Sequence, residues 1–239
     1  SRSPSDYRIL LGYNQLSKPT NFSRQMTVHK VIVREDYNRK YRFGSNITLP
    51  QLNVPVDFNS HILSACLPTT VVRMNSSCWI RGWDVFLPAP FHLQEAKVSL
   101  IDKTDVRSFT FLTQPYRQTC DQEDMICAGD TKVEKGICRG DSGGPLSCFL
   151  NGAWHVVGLS SWNWDCRSPI GYSVFVRITY FANWIKEKQQ VNPAPNPSSA
   201  PPQEKPPAMT ITSRGTVCQP SFFLTALVCH PLQLVLQSL

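Results

Sequence analysis

The sequence has no Cys-x-x-Cys pair and no pair of histidines at zinc spacing, although it holds nine cysteines. Without those patterns, disulfides are the better reading of the cysteines, and neither a metal nor a cofactor is expected. Charge is sparse as well. Only 17% of residues are charged, and no Lys/Arg run is long enough for a nucleic-acid footprint. The net charge of +7 therefore reads as a mildly basic surface, with no nucleic acid as partner. There is no internal repeat. No signal peptide stands at the start, which is Ser1 rather than Met, so a leader is expected to have been trimmed or left out.

What is present is a chain of 239 residues, 41% hydrophobic, long enough for one large all-β domain or two small ones. Three Asn-x-Ser/Thr sequons, at Asn21, Asn46 and Asn75, accompany the cysteines. Together they point to the secretory route and a secreted or extracellular protein. Because nine is odd, at least one thiol must pair outside the chain or stay reduced.

Residues 1–190 carry short alternating or apolar runs, such as YRILLGYNQL, TVHKVIVRE, NITLPQLNV, CWIRGWDVF, AKVSLID, AWHVVGLSSW and YSVFVRI. Turn residues separate them, which argues for an antiparallel barrel or sandwich. One helix is expected from Thr179, as its cap, to about Gln190, with Phe181, Trp184 and Ile185 as its apolar stripe. Residues 191–217 then turn proline-rich and read as an extended, solvated linker. The tail, 218–239, is apolar from Phe222 and interrupted by His230 and Pro231. It is marginal for a membrane span or lipid anchor, and an unstructured tail is the other reading.

The stretch ICRGDSGGPLSC, Ile137–Cys148, contains Gly-Asp-Ser-Gly-Gly-Pro. It resembles the nucleophile loop of the trypsin/chymotrypsin-type serine proteases. ACLP (Ala65–Pro68), CWIRGW (Cys78–Trp83), MICAG (Met125–Gly129), SSW (Ser160–Trp162), VFVRIT and NWI follow the family's order, so the resemblance covers about residues 7–190. The proline-rich, apolar-tailed layout is similar to that of membrane-tethered testis or tryptase-like members. The implied fold is all-β, with two six-stranded antiparallel barrels of the chymotrypsin type and the site between them. Here the first barrel is incomplete, the second runs from about 75 to 177, and a C-terminal helix and an unstructured tail follow.

The resemblance puts Ser142 at the nucleophile position and the N–H groups of Gly140 and Ser142 at the oxyanion hole, where preorganised donors stabilise developing charge. The base is missing. The family's Ala-Ala-His-Cys stretch does not occur, and none of His29, His61, His92, His155 and His230 has its flanking pattern. The orienting acid is missing too: Ser45–Leu49 reads SNITL, with Asn46 where the family has Asp. An amide neither fixes the working imidazole tautomer nor stabilises imidazolium, and in the family's template this exchange alone costs about 10⁴ in rate. The other reading of Asn46 is a glycosylated surface loop. Glu35 and Asp36 are nearby carboxylates in sequence, with no geometric reason to substitute. Asp141 is the family's zymogen switch, but no Arg-Ile-Val-Gly-Gly-like start supplies its amine partner. The loop is therefore expected to rest in a zymogen-like state.

In the specificity pocket Gly136 replaces the aspartate of trypsin-like members. Ser161 and Trp162 keep the backbone edge for an added strand, while Asn163 and Ser173 replace glycines and narrow the pocket. The implied preference is for small or uncharged residues. Family order pairs Cys78 with Cys148 and Cys138 with Cys166. The family's next cysteine falls near Val106, so a Cys120–Cys127 pair stands displaced and open. Cys66 is expected to pair with a preceding segment that the sequence does not contain, and Cys218 and Cys229 are left unassigned.

The resulting expectation is a secreted or membrane-tethered serine protease homologue without peptidase activity that binds protein or peptide, with attachment through the tail as one fate. The alternative is a serine-type endopeptidase in a longer form that supplies the histidine. A third reading is a product that does not fold stably.

Overall fold

The computed structural model describes residues 3–37, 44–74, 76–83, 92–102, 120, 122–129, 136–137, 140–163 and 172–208, with the side chains of Trp162 and Asn163 excepted. Nine strands and one long helix follow one another in these residues. β1 (Arg8–Leu11), β2 (Arg24–Val33) and β3 (Thr48–Leu52) form an antiparallel three-stranded sheet in that order. β4 (Cys78–Gly82), β5 (Gln94–Ile101), β6 (Met125–Gly129), β7 (Pro145–Leu150), β8 (Ala153–Asn163) and β9 (Ser173–Arg177) close a barrel in the order β4-β5-β6-β9-β8-β7. The all-β, chymotrypsin-type expectation holds: one barrel is closed, and the other half of the fold is a shorter open sheet.

The strands form where side chains alternate between water and core. In β5, Ala96, Val98 and Leu100 are buried while Glu95, Lys97 and Ser99 face out. β3 is buried along its whole length and contains Pro50, which has no N–H to donate. Proline is tolerated there because, among the described residues, β3 is paired on one side only, by β2. His29 is the extra residue of a bulge in β2 and is exposed.

Helix α1 runs from Ile178 to Val191. Thr179 does not cap it: the cap position is Arg177, extended and without a side-chain cap bond, because the helix follows β9 directly. Ile178, Phe181, Trp184 and Ile185 lie on one face of the helix and are buried together. They share one cluster with Ile32, Ile47 and Leu49 on the open-sheet side and with Val156, Leu159 and Val176 of the barrel. The helix thus ties the two halves. Trp184 Nε1 donates to Glu35 Oε2 at 2.9 Å, and Lys188 pairs with Glu35 at 2.5 Å. The guanidinium of Arg34 lies 5.8 and 5.7 Å from the ring centres of Phe181 and Trp184.

Two disulfides are present among the described residues. Cys78 and Cys148 face each other across β4 and β7 and are fully buried in the barrel core. Cys120–Cys127 ties the residue before a short loop to the third residue of β6 and is buried with Met125, Tyr172 and Val174. The Cys120–Cys127 pair that the sequence leaves open is thus present. The Cys138–Cys166 pair, Cys218 and Cys229 lie outside the described residues.

The described part of the proline-rich segment is largely exposed. It lies as a strap along the open sheet. Gln51 Nε2 donates to the carbonyls of Asn192 and Pro193 at 3.1 and 2.9 Å, and Lys30 donates to Asn192 Oδ1 at 2.7 Å. Farther on, Gln25 Nε2 donates to Glu204 at 2.5 Å, and Tyr13 Oη donates to Pro207 O at 2.9 Å. Proline lacks an N–H but keeps a carbonyl, so a segment barred from the strand ladder still accepts side-chain bonds.

Phe181 is 1% exposed in the shared cluster, so Phe181→Ala is expected to cost about 3–5 kcal/mol in chemical denaturation. Burial also pushes the Tyr13 hydroxyl from its ordinary 10.0 up to about 12. A raised acid favours the fold above its unfolded value least: the neutral form that the fold prefers is present in both states at lower pH, and the unfolded chain alone ionises as pH climbs past 10.0. Melting curves should therefore show an extra loss of stability between about pH 10 and 12 that Tyr13→Phe lacks.

Candidate active site

The loop that carries Ser142 is held by β8. Gly143 N donates to Ser160 O at 2.8 Å, Ser160 N donates back to Gly144 O at 2.8 Å, and Gly144 N closes a turn on Asp141 O at 2.9 Å. Gly140 and Gly143 have φ of 102° and 83°, values that favour glycine and that let the chain reverse tightly around an exposed Ser142. The Asp141 carboxylate lies against Gly82 of β4 so closely that a methyl group there would overlap it. Gly144 is similarly confined: a Cβ there would stand only 2.8 Å from Asp141 O and 3.1 Å from Arg81 O. The glycine of CWIRGW thus has a physical role that the sequence does not reveal.

Asn46 is 3% exposed, and its Nδ2 donates to Ser161 Oγ at 3.0 Å. Its place follows from its neighbours. Ser45 takes φ 52°, and its N–H donates to Asp124 Oδ2 at 2.8 Å, while Ile47 is buried in the cluster under α1. Ser161 is the next residue after Ser160, which grips the nucleophile loop. Asn46 and Ser142 are thus joined through one short path of bonds along β8. A glycan on a buried, hydrogen-bonded Asn46 does not fit this fold, and the glycosylated-loop reading is corrected on that ground. Asn21 lies on an exposed turn, and Asn75 is outside the described residues.

Four of the five histidines fall among the described residues. The exposed His29 occupies the β2 bulge, and the Nδ1 of His155 lies 3.2 Å from Ala153 O. His92 is exposed and bridges to Gln15. His61 reaches the cavity that Ser142 lines, but its ring stacks on Phe22 at 3.9 Å and its Nδ1 meets Ser60 Oγ at 2.9 Å. His230 is outside the described residues. The two nearby carboxylates are also engaged. Glu35 is held low by Lys188, and Asp36 is held low by Arg34, which it meets at 2.8 and 3.1 Å.

At the pocket, Ser173 is 1% exposed, and its hydroxyl accepts from Ile137 N at 3.1 Å, next to Gly136. Ser173 also pairs with Asn163 across β8 and β9, and Trp162 pairs with Val174. Ile137, Asn163 and Ser173 thus meet at one end of the barrel. The Ser173 hydroxyl is engaged in tethering the segment before the nucleophile loop. Gly140, Asp141 and Ser142 border a cavity of about 360 Å³ whose far wall includes Leu10, Tyr13 and Ile62 from the open-sheet half. Cys66 follows Ala65 on the rim of this cavity. Its N–H donates to Trp154 O at 3.0 Å and its carbonyl accepts from Val156 N at 2.9 Å, and its thiol belongs to neither disulfide.

A family model described as Trypsin matches residues 1–185. The human protein serine protease 41 is 32% identical over 209 residues, covering 82% of this chain and 64% of its own length. Human testisin is 32% identical over 194 residues, covering 77% of this chain and 61% of its own. The chain therefore spans less than two thirds of these relatives.

The fit of Asp141 against Gly82 generates a prediction. Gly82→Ala should cost about 1–3 kcal/mol by forced displacement. Hydrogen exchange should show the change concentrated in residues 140–144 rather than spread through the barrel.

Proposed function

Because the chain belongs to the trypsin family of serine proteases, we propose that it is an extracellular member that binds protein or peptide and lacks peptidase activity. The observation that carries this reading is Asn46, an amide buried where the family has its orienting carboxylate. Its N–H donates to Ser161, a donation a carboxylate cannot make. The described histidines make their contacts elsewhere, on Ser60, Phe22 and Ala153 among others. A serine hydroxyl without a base is a weak nucleophile, so the retained loop offers shape and donors rather than chemistry. Gly136, in place of an acid, and the tethered Ser173 favour small or uncharged side chains over Arg or Lys. The zymogen-like role of Asp141 belongs to the same reading.

Extracellular residence is supported by two disulfides and by an exposed sequon at Asn21. No helix among the described residues is long and apolar enough to cross a membrane.

A second reading has one observation behind it. Serine protease 41 and testisin extend well beyond the stretch they share with this chain. A longer form could supply the histidine, and a preceding cysteine could pair with Cys66, giving a serine-type endopeptidase.

The test is peptide hydrolysis by the purified chain. Turnover of casein and of a mixed peptide pool should stay at buffer background, and Asn46→Asp should not raise it. Turnover abolished by Ser142→Ala would overturn the reading.

A further inference from the structure

Gln25, Lys30 and Gln51 alternate along β2 and β3 with Met26, Val31 and Leu52, which pack in the core of the open-sheet half. Side chains alternate across a strand, and Lys30 stands opposite Gln51 in the register, so the three polar groups lie on the other face. Each of them donates to the strap. Gln51 Nε2 reaches Asn192 O and Pro193 O, Lys30 Nζ reaches Asn192 Oδ1, and Gln25 Nε2 reaches Glu204. Arg8 adds a 3.6 Å ion pair to Glu204, and Tyr13 Oη continues the row at Pro207 O. Gln25 is 7% and Gln51 4% exposed, so both amides are enclosed while they donate.

The sheet reads generic features here: backbone carbonyls and one carboxylate. Proline keeps the carbonyl and lacks the N–H, so a proline-rich chain is held by side-chain donors and does not extend the strand ladder. Seven of residues 192–207 are proline. Asn196 (φ −69°, ψ 118°) and Ala200 (φ −70°, ψ 143°) lie near polyproline II. A chain of this kind is extended before it binds and loses little freedom on binding. The grip on the strap is loose. Residues 201–205 are exposed, and a cavity of about 320 Å³ lies between strap and domain, bordered by Arg24, Gln25, Met26 and Asp57 on one side and by Gln203 and Glu204 on the other. Tethering strengthens such a hold through an effective concentration on the order of mM.

We propose that this face of the open sheet is a binding site for extended, proline-rich peptides that carry a carboxylate, and that the strap is its resident competitor. A partner segment of this chemistry presents its carbonyls to Gln51 and Tyr13 and its carboxylate to Gln25 and Arg8, and it displaces the strap. The site uses neither Ser142 nor Asn46, so its failure and that of the inactive reading are separate.

The experiment titrates the full chain with a fluorescein-labelled peptide, NPAPNPSSAPPQEKPP, which copies residues 192–207. Against the natural chain the strap competes, and binding should be weak. Glu204→Ala with Pro201→Gly and Pro202→Gly loosens the strap at exposed positions and should tighten the peptide about ten-fold in fluorescence anisotropy. Adding Tyr13→Phe or Gln25→Ala on the sheet side should reverse that gain, with thermal melts checking that the fold is kept. A peptide with alanine in place of its glutamate should bind the loosened chain about ten-fold more weakly, a comparison that leaves the protein untouched. Equal binding by the natural and loosened chains would overturn the proposal, as would binding indifferent to the sheet-side variants and to the glutamate. A strap that is only a structural staple would give the loosened chain a lower melting temperature and no peptide binding, and that result also overturns it.

Discussion

The apolar cluster beneath helix α1 is the constraint on which the rest of the structure depends. It draws side chains from the open-sheet half, the barrel and the helix into one interior. Burying such groups is favourable by roughly 1.5–3 kcal/mol each, and no other cluster among the described residues joins the two halves as directly. Ile47 belongs to this cluster and so fixes Asn46 beside it, while Leu159 does the same for Ser160 and Ser161. The site is therefore a by-product of packing: two residues flanking core positions are brought to 3.0 Å.

This explains how the loop that carries Ser142 is held in place. The loop is held by backbone bonds to β8, by glycines at left-handed φ, and by the close approach of Asp141 to Gly82. None of these contacts involves a histidine or a catalytic carboxylate. Shape is maintained by local geometry and chemistry by a few side chains, so the second can be lost while the first remains. The proposed loss of activity uses that retained shape.

Much of the fold is legible in the sequence, and the exceptions share a cause. Alternation in AKVSLID marks β5 because one face meets water. Thr179 does not act as a cap because β9 runs straight into the helix, leaving no loop in which a side chain could turn back. The sequon at Asn46 suggests a surface, whereas burial there is decided by Ile47 and Leu49 in a cluster assembled from distant segments. The strap escapes a local reading because proline content says what a segment cannot do in its own backbone, not which side chains will bond to its carbonyls. Gln25, Gln51 and Tyr13 lie far away in the chain, and no local pattern marks them. The roles of Gly82 and of the cavity wall are likewise set by contacts across the fold.

The central claim is that Ser142 keeps its place but not its reactivity. The most direct measurement is incubation of the purified chain with a fluorophosphonate probe, followed by mass spectrometry of the peptide that carries Ser142. The account predicts that this peptide stays unmodified under conditions that fully label an active serine protease. Modification of Ser142 at a comparable rate would contradict it.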